Sequence, residues 1–148
     1  MVDRDEAALA KAGGDGATTL VCDVADERQV RATVAQAATD LGGLDGVVNS
    51  AGIDLMWPFE QMTTAAEWAR VMAVDLTGPM LVCHAALPAL KQAGRGTIVK
   101  IASGAALRPL ELFRSSWTGA ADPEYLTSDE SSFVTGAALA VDGGRTFH

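Results

Sequence analysis

Large aromatic side chains are scarce in this sequence, at 5% of residues, and tyrosine occurs once, at Tyr125. A core with so few rings must be assembled mostly from Ala, Val and Leu, which favours close packing of helices on a sheet. Cysteine occurs twice, at Cys22 and Cys83. One pair leaves no second pair for a metal cage or redox motif, so both read as free buried thiols, one on a strand and one on a helix. Positive charge is also in short supply, with 11 Lys and Arg against 19 Asp and Glu and a formal net charge of −8. A nucleic-acid backbone or an anionic membrane surface would be repelled. No uninterrupted apolar run approaches the ~18 residues of a membrane span, and the first residues are charged rather than signal-like. A cytoplasmic setting with no nucleic acid and no membrane as partner is therefore expected. The two histidines, His84 and His148, have no carboxylate at ligand spacing, so no metal site and no catalytic histidine is expected.

What is present is one domain's worth of chain, 148 residues of which 49% are hydrophobic. Its centre is Leu44-Asp45-Gly46-Val47-Val48-Asn49-Ser50-Ala51-Gly52, a β-branched strand that runs into an Asn and a small-residue turn. In open α/β sheets, ligands sit outside the carboxyl ends of such strands. Ala51 and Gly52 leave room for a flat ligand, and the Asn49 amide can both donate and accept. Alone, the same residues make an ordinary turn equally well.

Upstream, Thr18 to Val24 is a second apolar run that closes on Asp23. Asp26-Glu27-Arg28-Gln29 then resembles a capping box, with Val30, Val34, Ala37, Ala38 and Leu41 making one helical face and Gly42-Gly43 the stop. Strand, helix and strand up to Asn49 form a βαβ unit, expected to be right-handed. Ile53 to Met62 is a loop whose Trp57, Pro58 and Phe59 wall a pocket or simply cover the sheet. Thr64-Ala65-Ala66-Glu67 is another capping box, opening a helix through Trp68, Val71 and Met72, and Thr77-Gly78-Pro79 reads as an interruption. The following segment, Met80 to Ala93, carries Leu81, Val82, Leu87 and Leu90 with almost no charge before Lys91. It is too apolar for a helix with one face in water and needs a second surface to bury. Gly96 to Ser103 is a strand ending on a hydroxyl, and Thr135-Gly136 leads to a last strand before Val141-Asp142-Gly143-Gly144.

From Val2 to Gly144 this order resembles the short-chain dehydrogenase/reductase family. The resemblance implies an NAD(P)-dependent oxidoreductase of small alcohols or carbonyls, with NAD as cofactor. Asp3 matches the acid that accepts from the adenosine ribose and repels the NADP phosphate, although it can equally cap the next helix. Asp23 and Val24 match the residues that cradle the adenine, and Asn49, Ala51 and Gly52 the crevice turn. Asp75 stands where the family usually has an Asn that helps hold a proton-relay water. An ionised Asp accepts but does not donate, which weakens that relay. Ser103 matches the catalytic Ser that hydrogen-bonds the substrate oxygen. In the family the Met80–Ala93 helix packs against its counterpart in another subunit, which implies a homo-oligomer or pairing with a related dehydrogenase.

Two parts of the family pattern are missing. No Gly-x-x-x-Gly-x-Gly or Gly-x-Gly-x-x-Gly occurs, and Gly13-Gly14-Asp15-Gly16 follows a helix and carries an acid that would repel phosphate. Beyond Ser103 the family places Tyr-x-x-x-Lys, the Tyr as general acid/base and the Lys lowering its pKa. Here Phe113 to Ala120 contains neither, Tyr125 has Asp129 four residues on, and no lysine lies beyond Lys100. On a strand, Lys100 should point to the face opposite Ser103. The expected fold is α/β: a single incomplete NAD(P)-binding domain over 1–148, with a partial Rossmann-like (doubly wound) parallel sheet and flanking helices. About four strands are expected, near Thr19–Asp23, Asp45–Asn49, Gly96–Ser103 and Ala137–Val141. The Asp23 and Asn49 strands should either pair directly or leave unpaired edges.

Overall fold

The computed structural model describes residues 1–14, 16–53, 64–102, 126–132 and 134–139. Strand β1 (Val2–Asp3) leads to helix α1 (Glu6–Ala12), and β2 (Leu20–Val21) to α2 (Glu27–Asp40). Strand β3 (Gly46–Asn49) precedes α3 (Ala65–Met72), a π-helical segment (Ala73–Thr77), α4 (Gly78–Ala93) and β4 (Thr97–Lys100). A 3₁₀ turn, Asp129–Ser131, follows near the end.

The four strands form two parallel pairs rather than one sheet of four. Val2 lies opposite Leu20 and Asp3 opposite Val21, while Gly46 to Asn49 lie opposite Thr97 to Lys100. Among the described residues no hydrogen-bonded ladder joins the pairs, so the strand before Asp23 does not pair with the Asn49 strand. It takes Val2–Asp3 instead, and of the two expected outcomes the unpaired edges are the one observed. Helices α2 and α4 pack against each other and bridge the pairs. The result is α/β, a partial Rossmann-like parallel arrangement with flanking helices. The expected last strand is not formed over residues 137–139, which are exposed and irregular, and Ala140 and Val141 lie outside the described residues.

Local chemistry explains most boundaries. Asp26 caps α2, accepting from the backbone N–H of Arg28 at 2.9 Å and Gln29 at 3.2 Å. The Gln29 N–H, followed by its side chain, holds the Asp26 carboxyl below its ordinary pKa. Thr64 caps α3 through the Glu67 N–H at 3.2 Å. Gly42 and Gly43 leave α2 with φ of 72° and 147°, conformations that L side chains rarely adopt. Leu41 departs from the expected apolar face: as the C-cap of α2 it is 65% exposed, past the last turn that faces the core. For α1 the N-cap is Asp5, which accepts from Ala8, and not Asp3.

Thr77-Gly78-Pro79 does not interrupt the helix. From Ala65 to Ala93 the chain stays helical for 29 residues, widened to a π-turn over Ala73–Thr77. Pro79 has no N–H to offer the carbonyl four residues back, and the widened turn falls where that bond is missing. By length and composition alone this helix is long and apolar enough to cross a membrane, while Glu67, Arg70, Asp75 and Lys91 keep it from being one uninterrupted apolar run. Here it covers β3 and β4 and packs on α2. Leu44, Ala86 and Leu90 form the core, with Val34, Ala38, Val47 and Ala89 against them. Cys22 is buried just after β2, where burial pushes its thiol pKa up. Cys83 is half-buried on α4.

Candidate functional site

Side-chain alternation sets which groups reach the carboxyl end of β3. Val47 packs into the α4 core, so Asn49, two residues on, points to the same helix. Asn49 is 7% exposed, and its amide nitrogen donates to the Cys83 sulfur at 3.4 Å. Its backbone carbonyl accepts from Ile101 at 2.9 Å, extending the ladder one step beyond Lys100. Ser50, Ala51 and Gly52 follow as an exposed, irregular segment, and the Ile53 N–H donates to Asp75 Oδ1 at 2.9 Å. Asp75 is thereby tied to the crevice turn rather than free in the crevice. A Cβ at Gly52 would stand 3.7 Å from that same oxygen, an ordinary contact, so Asp75 does not itself require glycine there.

The other expected binding residues sit at the carboxyl ends of β1 and β2. Asp3 is exposed, and its Oδ1 accepts from the Asp5 N–H at 2.9 Å. Asp23 is half-buried: Oδ1 accepts from Ala25 at 2.9 Å and its own N–H donates to Gln29 Oε1 at 3.0 Å. Gln29 thus spends its carbonyl on Asp23 instead of closing the capping box on the Asp26 N–H. Asp3 and Asp23 are brought near each other by the Cys22 N–H, which donates to the Asp3 carbonyl at 2.9 Å. Val24 packs directly on Gly78, the first residue of α4, so closely that a Cβ there would lie 2.9 Å from Val24 Cγ2.

One short stretch, Asp75 to Gly78, therefore touches both strand ends. Asp75 holds the turn after β3, and Gly78 receives the turn after β2. Reading Gly78-Pro79 as a helix break missed this contact, as it missed Cys83. A glycine placed where a helix otherwise continues was the available signal, because close approach is the usual reason to tolerate one there. Three carboxylates, Asp3, Asp23 and Asp75, line this end of the strands, each accepting from a backbone N–H. Such an arrangement can accept hydrogen bonds from hydroxyls and amines and disfavours an added phosphate. Two grooves, one lined by Leu87, Leu90, Gly96 and Ile98 and one around Gly42 to Asp45, lie at the opposite, amino ends of β3 and β4. Lys100 is exposed in β4; Ser103, Tyr125 and the Trp57–Phe59 loop lie outside the described residues.

Comparison with known proteins gives a consistent answer. The pattern of the short chain dehydrogenase family matches residues 2–115. The chain is 39% identical over 108 residues to D-threitol dehydrogenase of Mycolicibacterium smegmatis, covering 72% of this chain and 41% of that protein. It is 29% identical over 200 aligned positions to a 3-alpha-(or 20-beta)-hydroxysteroid dehydrogenase of Mycobacterium tuberculosis, covering 97% of this chain and 76% of that protein. Those 200 positions exceed the 148 residues present here, so that relative has residues within the aligned region that find no counterpart in this chain. Among solved structures, NAD+-bound xylitol dehydrogenase is similar with a TM-score of 0.68 at 30% identity, over 74% of this chain and 44% of that one. This chain thus spans less than half the length of two of these three proteins.

Proposed function

Because the chain belongs to the short-chain dehydrogenase family, we propose that it is an oxidoreductase-derived NAD(P)-binding domain, incomplete over 1–148, that carries out no alcohol or carbonyl turnover. The crevice of Asp3, Asp23, Val24, Asn49, Ala51 and Gly52 receives the adenosine half of a nicotinamide cofactor, and Asp3 favours NAD over NADP. Affinity for NAD(H) is expected to be negligible, since these residues address mainly the adenosine and none of them neutralises a pyrophosphate. A cytoplasmic setting belongs to the same reading, in keeping with the charge of −8.

The observation that carries the loss of activity is the chain after Ser103. Its one tyrosine, Tyr125, is followed four residues later by Asp129, and no lysine occurs beyond Lys100. Ser103 can hydrogen-bond a substrate oxygen, but an unassisted hydroxyl is far too weak a base to take its proton. General acid/base assistance alone is typically worth ~10²–10⁴ in rate. With secondary alcohols or ketones and either nicotinamide cofactor, no change in nicotinamide absorbance is expected, and Ser103→Ala should alter nothing. Substrate-dependent turnover that disappears in both Ser103→Ala and Tyr125→Phe would restore an active enzyme, with small alcohols or carbonyls as its substrates.

A second reading, an oligomerisation partner for its own copies or for related dehydrogenases, is favoured by one feature of the long helix. Leu76, Met80 and Leu87 follow helical spacing and are 61%, 54% and 40% exposed. Apolar stripes of this kind mark association surfaces. The purified chain should self-associate in light scattering, and Leu87→Lys should weaken association while leaving far-UV helicity nearly unchanged. A monodisperse monomer at moderate concentration would remove this reading.

A further inference from the structure

Cys83 lies two helical turns beyond Asp75, so both side chains leave the helix towards the carboxyl end of β3. Asp75 takes the Ile53 N–H, and Cys83 takes the amide of Asn49, whose side chain has no other hydrogen bond among the described residues. We infer that Cys83 is a positioning residue whose sulfur, by accepting the Asn49 amide N–H at 3.4 Å, sets the plane of that amide at the crevice. Asn49 is 7% exposed, so water competes poorly for the same N–H. A terminal amide otherwise turns broadly about its last torsion. Held by one N–H, it presents its oxygen and its remaining N–H in one direction. The sulfur suits this place because a thiol fills an apolar gap between helix and sheet while keeping a weak acceptor.

The functional half of this inference rests on the adenosine crevice proposed above, and the experiment keeps the two apart. Side-chain amide hydrogen exchange of Asn49 is measured by NMR in the natural chain, Cys83→Ala and Cys83→Ser, with urea midpoints recorded for each. In Cys83→Ala the Asn49 side-chain protons should exchange about threefold faster or more, the loss of one weak hydrogen bond. Cys83→Ser should restore the slow rate, because its hydroxyl oxygen accepts in place of sulfur. A purely packing role for Cys83 would move the urea midpoint and leave no rescue by Ser. Unchanged exchange in Cys83→Ala, or equally fast exchange in Cys83→Ser, overturns the inference. Adenosine is then titrated against all three, and its affinity should fall in the Ala variant alone. If it binds none of them, the adenosine reading fails, while the exchange rates still decide whether Cys83 holds Asn49.

Discussion

Gly96→Ala is expected to destabilise this protein by roughly 2 kcal/mol or more, the largest loss from a methyl added at any of the described glycines. The chain leaves α4 through Gly94, in the left-handed conformation with φ of 76°, and doubles back at once into β4. It returns so tightly that a Cβ at Gly96 would stand 2.6 Å from Leu90 Cβ and 3.2 Å from the Leu90 carbonyl oxygen. Neither atom is the far end of a flexible side chain, so no rotamer change makes room. Leu90 is 3% exposed and sits in the core with Leu44 and Ala86, which leaves only a shift of β4 away from α4. Replacing Gly outside a helix returns about 0.4–1 kcal/mol at best, through the unfolded chain. Overpacking costs about 1–3 kcal/mol and occasionally more, so the clash wins. A lower urea midpoint with an unchanged slope is the expected result. Combining it with Leu90→Ala should bring no relief, because alanine keeps both of the atoms that are struck. An unchanged midpoint would mean that β4 departs from α4 by a wider route.

How much of this was legible before the structure depended on how far each signal had to reach. Asp26 with Gln29, and Thr64 with Glu67, were readable because a cap satisfies N–H groups two or three residues away, and both helices begin there. Gly42-Gly43 stopped α2 as expected, again a local matter of backbone conformation. The strand to Asn49 was also legible, as was the α/β class. What failed was long-range. Which strand neighbours which is decided by partners, and Leu20–Val21 took Val2–Asp3 rather than the Asn49 strand. The N-cap of α1 fell to Asp5 because Asp3 still lies in the strand. Asp75 was read from its charge alone, and its partner, the Ile53 N–H far back in the chain, is a contact that nothing local encodes. Gly78 looked like a break because Gly and Pro stand together. Its reason is Val24, far away in sequence, and nothing local encodes that contact.

Gly78→Ala puts that contact to the test, and here two effects of similar size oppose each other. Gly78 lies in α4 and is buried, so alanine should gain roughly 0.5–1 kcal/mol from helix propensity. Against this, the new Cβ would meet Val24 Cγ2 at 2.9 Å, and Val24 Cβ and carbonyl oxygen at 3.2 Å each. Valine cannot easily turn away, since branching at Cβ leaves it stiff about χ1. The turn after β2 must therefore retreat, and Asp23, joined to Ala25 and Gln29 by hydrogen bonds, is drawn with it. With overpacking at about 1–3 kcal/mol, the net expectation is a loss of about 1–2 kcal/mol. Amide chemical shifts should move at Asp23 to Ala25, and affinity for adenosine should fall with them. The partner variant behaves differently from that at Gly96. Val24→Ala removes the nearest of the three atoms, so Gly78→Ala in that background should recover part of its stability. A Gly78→Ala protein more stable than the natural chain would show that helix propensity prevails and that the two strand ends are not held together at Gly78.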